Sequence, residues 1–161
     1  MSTLTVWKFD SPQGAQDALN KLIDLSKQHL IQVNDAAIVS WEAGKKKPKT
    51  QNYGSLTGQG ALSGAFWGML FGLLFFVPLF GMAVGAAMGA LSGKFADYGI
   101  NDKFIKEVRE QVTEGTSALF LMTSDAVQDR VAEAFQGVSV ELIQSNLTSE
   151  QEAQLTEDFG G

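Results

Sequence analysis

Eight glycines set the strongest constraint on this chain. They stand at positions 60, 64, 68 and 72, then at 81, 85, 89 and 93, in two GxxxGxxxGxxxG runs on either side of Pro78. No charged residue occurs from Thr50 to Gly93. Glycines four apart drift slowly around a helix, so each run makes a stripe without side chains, and such stripes let two helix backbones approach closely. Folded back on itself, the segment pairs Gly60 with Gly93, Gly64 with Gly89, Gly68 with Gly85 and Gly72 with Gly81. The midpoint falls between Phe76 and Val77, next to the proline, which ends helices. The expected element is an antiparallel helical hairpin zipped by glycine. Its tip is Phe75, Phe76, Val77, Pro78, Leu79 and Phe80.

The flanking sequence reads as a small α+β domain. Residues 3–9 (TLTVWKF) are β-branched and aromatic and predict a strand. Ser11 is expected to cap the next helix, with Pro12 at its first position. Ala15, Ala18, Leu19, Leu22 and Ile23 recur at helical spacing. Residues 35–42 predict a second strand, and AGKKKPKTQNYGS a basic, polar linker. After the glycine segment, Asn101 caps a helix with Ile100 and Ile105 placed as a hydrophobic staple. Gly115 stops it. Residues 116–123 (TSALFLMT) form a near-continuous apolar strand, expected at the centre of a sheet. A short helix from Ser124-Asp125 to Gly137 and a strand over 138–144, with Val138, Val140 and Leu142 on one face, complete the order. The tail from Thr148 is acidic, and Leu155 and Phe159 leave it able to dock.

Two β-α-β halves of this size predict a ferredoxin-like split β-α-β sheet with helices on one face and the glycine-rich antiparallel helical hairpin inserted. A doubly wound parallel sheet is the competitor. Residues 1–49 make the first half and 50–98 the linker and hairpin. Residues 99–147 complete the same domain, and 148–161 form the tail.

If the halves share a sheet, a single membrane crossing is excluded, because it would part them and leave unpaired strand edges. Each hairpin arm is about 24 Å long, against a hydrocarbon core of about 30 Å. Insertion from one side is expected, with the depth open. Lys45, Lys46, Lys47 and Lys49 before the hairpin and Lys94 after it, with Tyr53 and Tyr98, are the expected membrane-interface residues. Basic residues favour the cytoplasmic side, and aromatic residues with polar tips favour headgroups. A soluble oligomer that buries the hairpins between subunits accounts for the same pattern.

Charge and chemistry narrow the function. Residues 1–49 carry seven lysines and five acidic residues, whereas 94–161 carry five basic and thirteen acidic ones, giving a net charge of −6. Generic nucleic-acid binding, which rests on phosphate neutralisation by Lys and Arg, is disfavoured. There is no cysteine, hence no disulfide, thiolate nucleophile or Cys-based metal site. His29, the single histidine, reads as a helix-end polar residue rather than a base or ligand. Asp97, Asp102 and Glu107 read as solvated caps, and Glu150, Glu152, Glu157 and Asp158 as a solvated tail. The glycines lack the Lys-Ser/Thr ending of a phosphate loop. No catalytic residue, metal or cofactor is expected.

The motif W-G-x-L-F-G-x-L-F-F, here Trp67 to Phe76 with Met69 and Leu73 in the variable places, resembles a bacterial family of unknown function (domain of unknown function twelve sixty-nine). So does the stretch YGI-D/N-D-x-F, here Tyr98 to Phe104. The resemblance covers nearly the whole chain. It implies a bacterial, membrane-labelled protein and carries over no catalytic residue. The leading expectation is a non-enzymatic homo-oligomer, bound to membrane lipid at the cytoplasmic face of the bacterial inner membrane through the hairpin. Its alternatives are a soluble ring or cage, and a ferredoxin-like domain that binds or acts on a small molecule and uses the hairpin only as an anchor.

Overall fold

The computed structural model describes residues 2–28, 33, 35–45, 48–54, 64–76, 95–137 and 140–159. Their elements are β1 (Ser2–Phe9), α1 (Gly14–Lys27), β2 (Asp35–Ser40), β3 (Lys49–Gly54) and α2 (Gly64–Phe71), which runs into a π-helical turn (Gly72–Phe76). Then come α3 (Asp102–Gln111), β4 (Ser117–Ser124), α4 (Asp125–Ala134), β5 (Val140–Asn146) and α5 (Ser149–Phe159). A helical turn at 95–97 precedes α3.

One five-stranded sheet has the order β3-β2-β4-β1-β5, with every neighbouring pair antiparallel. The parallel-sheet competitor is therefore excluded. Strands β1 and β2 run parallel with β4 between them, and β4 and β5 run parallel with β1 between them. Each β-α-β unit is thus split by a strand of the other. The apolar run on β4 earns its central place: Ala118, Phe120 and Met122 point to one face and Leu119, Leu121 and Thr123 to the other, all buried, as alternation in a doubly covered strand requires.

Helices cover both faces, which differs from the one-sided arrangement expected. On one face α1 and α4 bury Ala15, Ala18, Leu19, Leu22, Val131 and Phe135 against Trp7, Phe9, Ala36, Ile38, Leu119 and Leu121. On the other, α2, its π-helical turn, α3 and α5 cover Leu4, Val6, Ala37, Val39, Ala118, Phe120 and Met122. The apolar arm that looked free for lipid is what closes this second face.

Local differences have physical causes. The stretch expected as a linker contains β3, which pairs with β2 from Ser40↔Lys49 to Ala36↔Gly54. Its polar sequence KTQNYG suits an edge strand, where charge discourages further pairing. Helix α1 starts at Gly14, and Gln13, not Ser11, is its cap, with no side-chain cap bond. The orphan N–H of Ala15 instead donates to Ser117 Oγ at 2.9 Å, and that hydroxyl donates to the Ser11 carbonyl at 2.7 Å. A tertiary contact has replaced a local cap. Gly14 is also a close-approach position, since a Cβ there would lie 2.5 Å from Phe9 Cβ.

The start of α3 follows the sequence expectation. The N–H of Phe104 donates to Asn101 Oδ1 at 2.9 Å, and the staple residues Ile100 and Ile105 are both buried. Its end does not: α3 closes at Gln111, and Gly115, with φ +84°, serves a later turn. On β5 the inward residue is Ile143, whereas Leu142 is 41% exposed. Being an edge strand, β5 has its outer face only partly covered. The tail is ordered as α5, opened by a reciprocal capping box. Thr148 N–H donates to Gln151 Oε1 (2.9 Å) and Gln151 N–H to Thr148 Oγ1 (3.2 Å). Leu155 docks in the core at 2% exposure.

Candidate functional site: the docked glycine arm

Two stripes share the four-residue period of α2. Trp67, Phe71 and Phe75 make an aromatic one, and Gly68 and Gly72 lie one residue on, about 100° round the helix. The aromatic stripe faces the sheet. Trp67 and Phe71 rings stack at 5.7 Å, Phe71 and Phe75 follow at 6.3 Å, and Phe71 meets Phe120 edge-on at 5.1 Å. Phe66, Leu70 and Leu74 flank them, buried. The neighbouring Ala37 and Ala118 are small, which leaves room above β2 and β4 for these rings. The glycine stripe points outward. Gly68 is exposed, and among the described residues nothing lies within 4 Å of a Cβ built at Gly68 or Gly72.

The arm is pinned at both ends. At its start Trp67 Nε1 donates to Asp35 Oδ1 at 3.0 Å, with both residues 1% exposed. A buried carboxyl group is costly without hydrogen-bond partners, and this bond ties the first turn of α2 to the start of β2. At its end Phe75 packs edge-on against Trp41 at 6.2 Å. Trp41 is itself fixed: its N–H donates to the Thr116 carbonyl (2.9 Å), its carbonyl accepts from Gly115 (2.7 Å), and Nε1 donates to the Lys45 carbonyl (2.9 Å). The chain reappears at Phe95, whose ring lies 5.8 Å from Phe66 at the start of the arm.

The expected site residues therefore separate. Phe75 is buried on the domain rather than held out at a tip. Tyr98, expected at headgroups, is 1% exposed in the same core. Tyr53 is half-buried and its hydroxyl bonds Gln16 Oε1 at 2.9 Å. Lys45 and Lys49 are exposed. Gly60, Gly81, Gly85, Gly89, Gly93, Val77, Pro78, Leu79, Phe80, Lys46, Lys47, Lys94 and His29 lie outside the described residues. So do the surroundings of Gly64 and the side chain of Phe76. The residues that hold the arm and that glycine counting missed are Asp35, Trp41, Trp67 and Phe71. The aromatic spacing 67/71/75 was the available signal, and it was masked by the more regular glycines beside it.

The sheet face that a small-molecule site would use is occupied by α2 and α3. Clefts lie instead beside α1: one of about 480 Å³ between Phe9, Gly14, Ala18 and Phe135 with Asp10, Asp17 and Lys21 at its rim, another of about 510 Å³ between α1 and β3. Among the described residues no group of three His, Asp or Glu side chains is placed to hold a metal ion. Nor is any helix there long and apolar enough to cross a membrane.

A helix docked aromatic side inward on a five-stranded antiparallel sheet makes this an α+β domain. Residues 61–160 match the family described as protein of unknown function (DUF1269), and the chain belongs to that family. The match starts within the glycine segment and leaves β1, β2 and β3 outside it. No curated protein and no solved structure matches the chain.

Proposed function

We propose that this is a non-enzymatic, self-assembling protein of the bacterial inner membrane, in which the second glycine run returns antiparallel along the glycine face of α2 and the turn between them touches lipid from the cytoplasmic side. Leaving β3 aside, the order β2-β4-β1-β5 is that of a ferredoxin-like split β-α-β sheet, with an added edge strand and a second helical layer.

Closure of the chain carries the reading. Phe75 is held by Trp41 just beyond α2, and Phe95 lies beside Phe66 near its start. A hairpin arm over residues 77–94 would join these two points. Out-and-back transmembrane helices need about 40 residues, and 18 are present. Even spent wholly on two helical legs these would reach only about 13 Å, within one leaflet, so the reading takes lipid contact to be shallow and made by the turn at Val77, Pro78, Leu79 and Phe80. Flotation of detergent-free protein with lipid vesicles tests the reading: the wild type floats and Phe80→Asp does not. Protein that stays wholly with the soluble fraction overturns it.

A soluble homo-oligomer is the second reading, favoured because no described residue lies within 4 Å of a Cβ built at Gly68 or Gly72, where a neighbouring copy fits as well as the chain's own second arm. It predicts lipid-free particles of several subunits by light scattering, dispersed by Gly68→Leu.

A further inference from the structure

We infer that the end of the sheet carrying Trp41, Lys45 and Lys49 is the surface that meets the membrane, and that it recognises anionic phospholipid headgroups. This rests on the membrane reading above and adds its orientation and its lipid chemistry.

In sequence the lysine cluster precedes α2 by about fifteen residues and has no evident relation to the tip. The fold brings them together. Trp41 packs on Phe75, at the end of the arm from which the chain departs towards Val77. The Trp41 indole binds the Lys45 carbonyl. Lys49 opens β3 directly opposite Ser40, the residue before Trp41. Lys45 and Lys49 are exposed, and Lys46 and Lys47 lie between them in sequence, giving four cations in five positions of a chain whose net charge is −6. Among the described residues three acidic ones share this end: Asp10, paired with Lys8 at 2.9 Å, Glu42, exposed, and Glu114, whose Oε2 accepts from Gly44 N–H at 3.3 Å. With Asp10 held by Lys8, the four lysines of 45–49 outnumber the other two.

A half-buried indole held rigidly beside several lysines is the pairing that suits the headgroup layer, where an amphipathic ring sits among phosphates and each nearby cation adds affinity for anionic lipid. The tyrosines are excluded from that role by place: Tyr98 is in the core, and Tyr53 is at the far end of β3, tied to Gln16. An acidic face of a second copy offers charge complementarity too, but it does not require the apolar departure of the chain at the same end.

Fluorescence separates the cases, because Trp7 and Trp67 are buried at 3% and 1% and Trp41 is the one indole within a quencher's reach. The probes are phosphatidylcholine vesicles, with or without phosphatidylglycerol, carrying brominated acyl chains. The expected result is preferential binding to the phosphatidylglycerol vesicles with quenching of Trp41. Trp41→Phe abolishes that quenching, and Lys45→Gln with Lys49→Gln weakens binding by roughly 30-fold. Equal binding to both vesicles with Trp41 unquenched overturns this orientation and leaves the membrane reading standing. No binding to either overturns both. A Trp41 signal that changes with protein concentration in the absence of lipid overturns the proposal in favour of a second copy.

Discussion

Trp67 Nε1 donates to Asp35 Oδ1 across 3.0 Å in a region where neither residue is more than 1% exposed. One residue opens β2 and the other lies in the first turn of α2, so the bond sets both the start of the glycine arm and its rotation. With Trp67 turned to the sheet, Phe71 and Phe75 follow inward and Gly68 and Gly72 are left outward.

Trp67→Phe removes the donor and, in replacing the indole by a smaller phenyl ring, leaves a small void in the core. Losing one partner of a buried hydrogen bond costs about 1–3 kcal/mol, so a loss of at least about 2 kcal/mol is expected with the void included, read from the urea midpoint. Amide exchange should quicken across α2 more than across β4. A midpoint within error of wild type would show that the bond does not hold the arm.

The two stripes predict opposite sensitivities to lipid and to packing. Phe71→Ala empties a buried site between Trp67, Phe75 and Phe120 and should cost about 3–5 kcal/mol, with or without membrane present. Gly68→Ala on an open helix face would stabilise by about 0.5–1 kcal/mol through backbone entropy. If the second run packs there, the added methyl instead destabilises, and Gly68→Leu more so. Thermal melts of the three variants decide this, and stabilisation by both Gly68 changes would remove the zipper from the account.

At the start of α1 a distant residue does the work expected of a neighbour. Ser117→Ala removes the acceptor for Ala15 N–H and the donor to the Ser11 carbonyl, both at a fully buried hydroxyl, and is expected to cost about 1–3 kcal/mol. Ser11→Ala, the change that a local capping rule marks as harmful, should shift the melt by less than about 0.5 kcal/mol. The reverse order would restore Ser11 as the cap.

The family match and the folding unit have different boundaries. Residues 61–160 contain β4 and β5, yet these strands do not touch, because β1 lies between them. A fragment of residues 61–161 should therefore lack dispersed amide resonances and cooperative unfolding. Adding residues 1–54 as a separate chain should restore both. A fragment that folds alone would mean that β5 can pair differently.

Much of this fold was legible locally. The strand over 116–123 announced its central place by being apolar on both faces, and Asn101 with Ile100 and Ile105 announced the start of α3. The polar run KTQNYG did not announce β3, because an edge strand with one solvated side carries no apolar alternation, and its pairing comes from β2. The capping box at Thr148 and Gln151 was present in the sequence and was obscured by the acidity of the tail around it.

The sequence by itself determined the four-residue period of the glycine segment, its lack of charge and, given a shared sheet, that both flanks return to the same side. These follow from residue spacing and the backbone's need for paired strands, which do not depend on the surroundings. Only the tertiary structure decided which stripe of the first arm is buried. Glycine and aromatic stripes repeat with the same period, so periodicity cannot choose between them. The choice fell to the shape of the sheet, where Ala37 and Ala118 leave space for rings and Asp35 waits for an indole donor. The segment that looked built for lipid is, over Gly64–Phe76, the second layer of the domain's core.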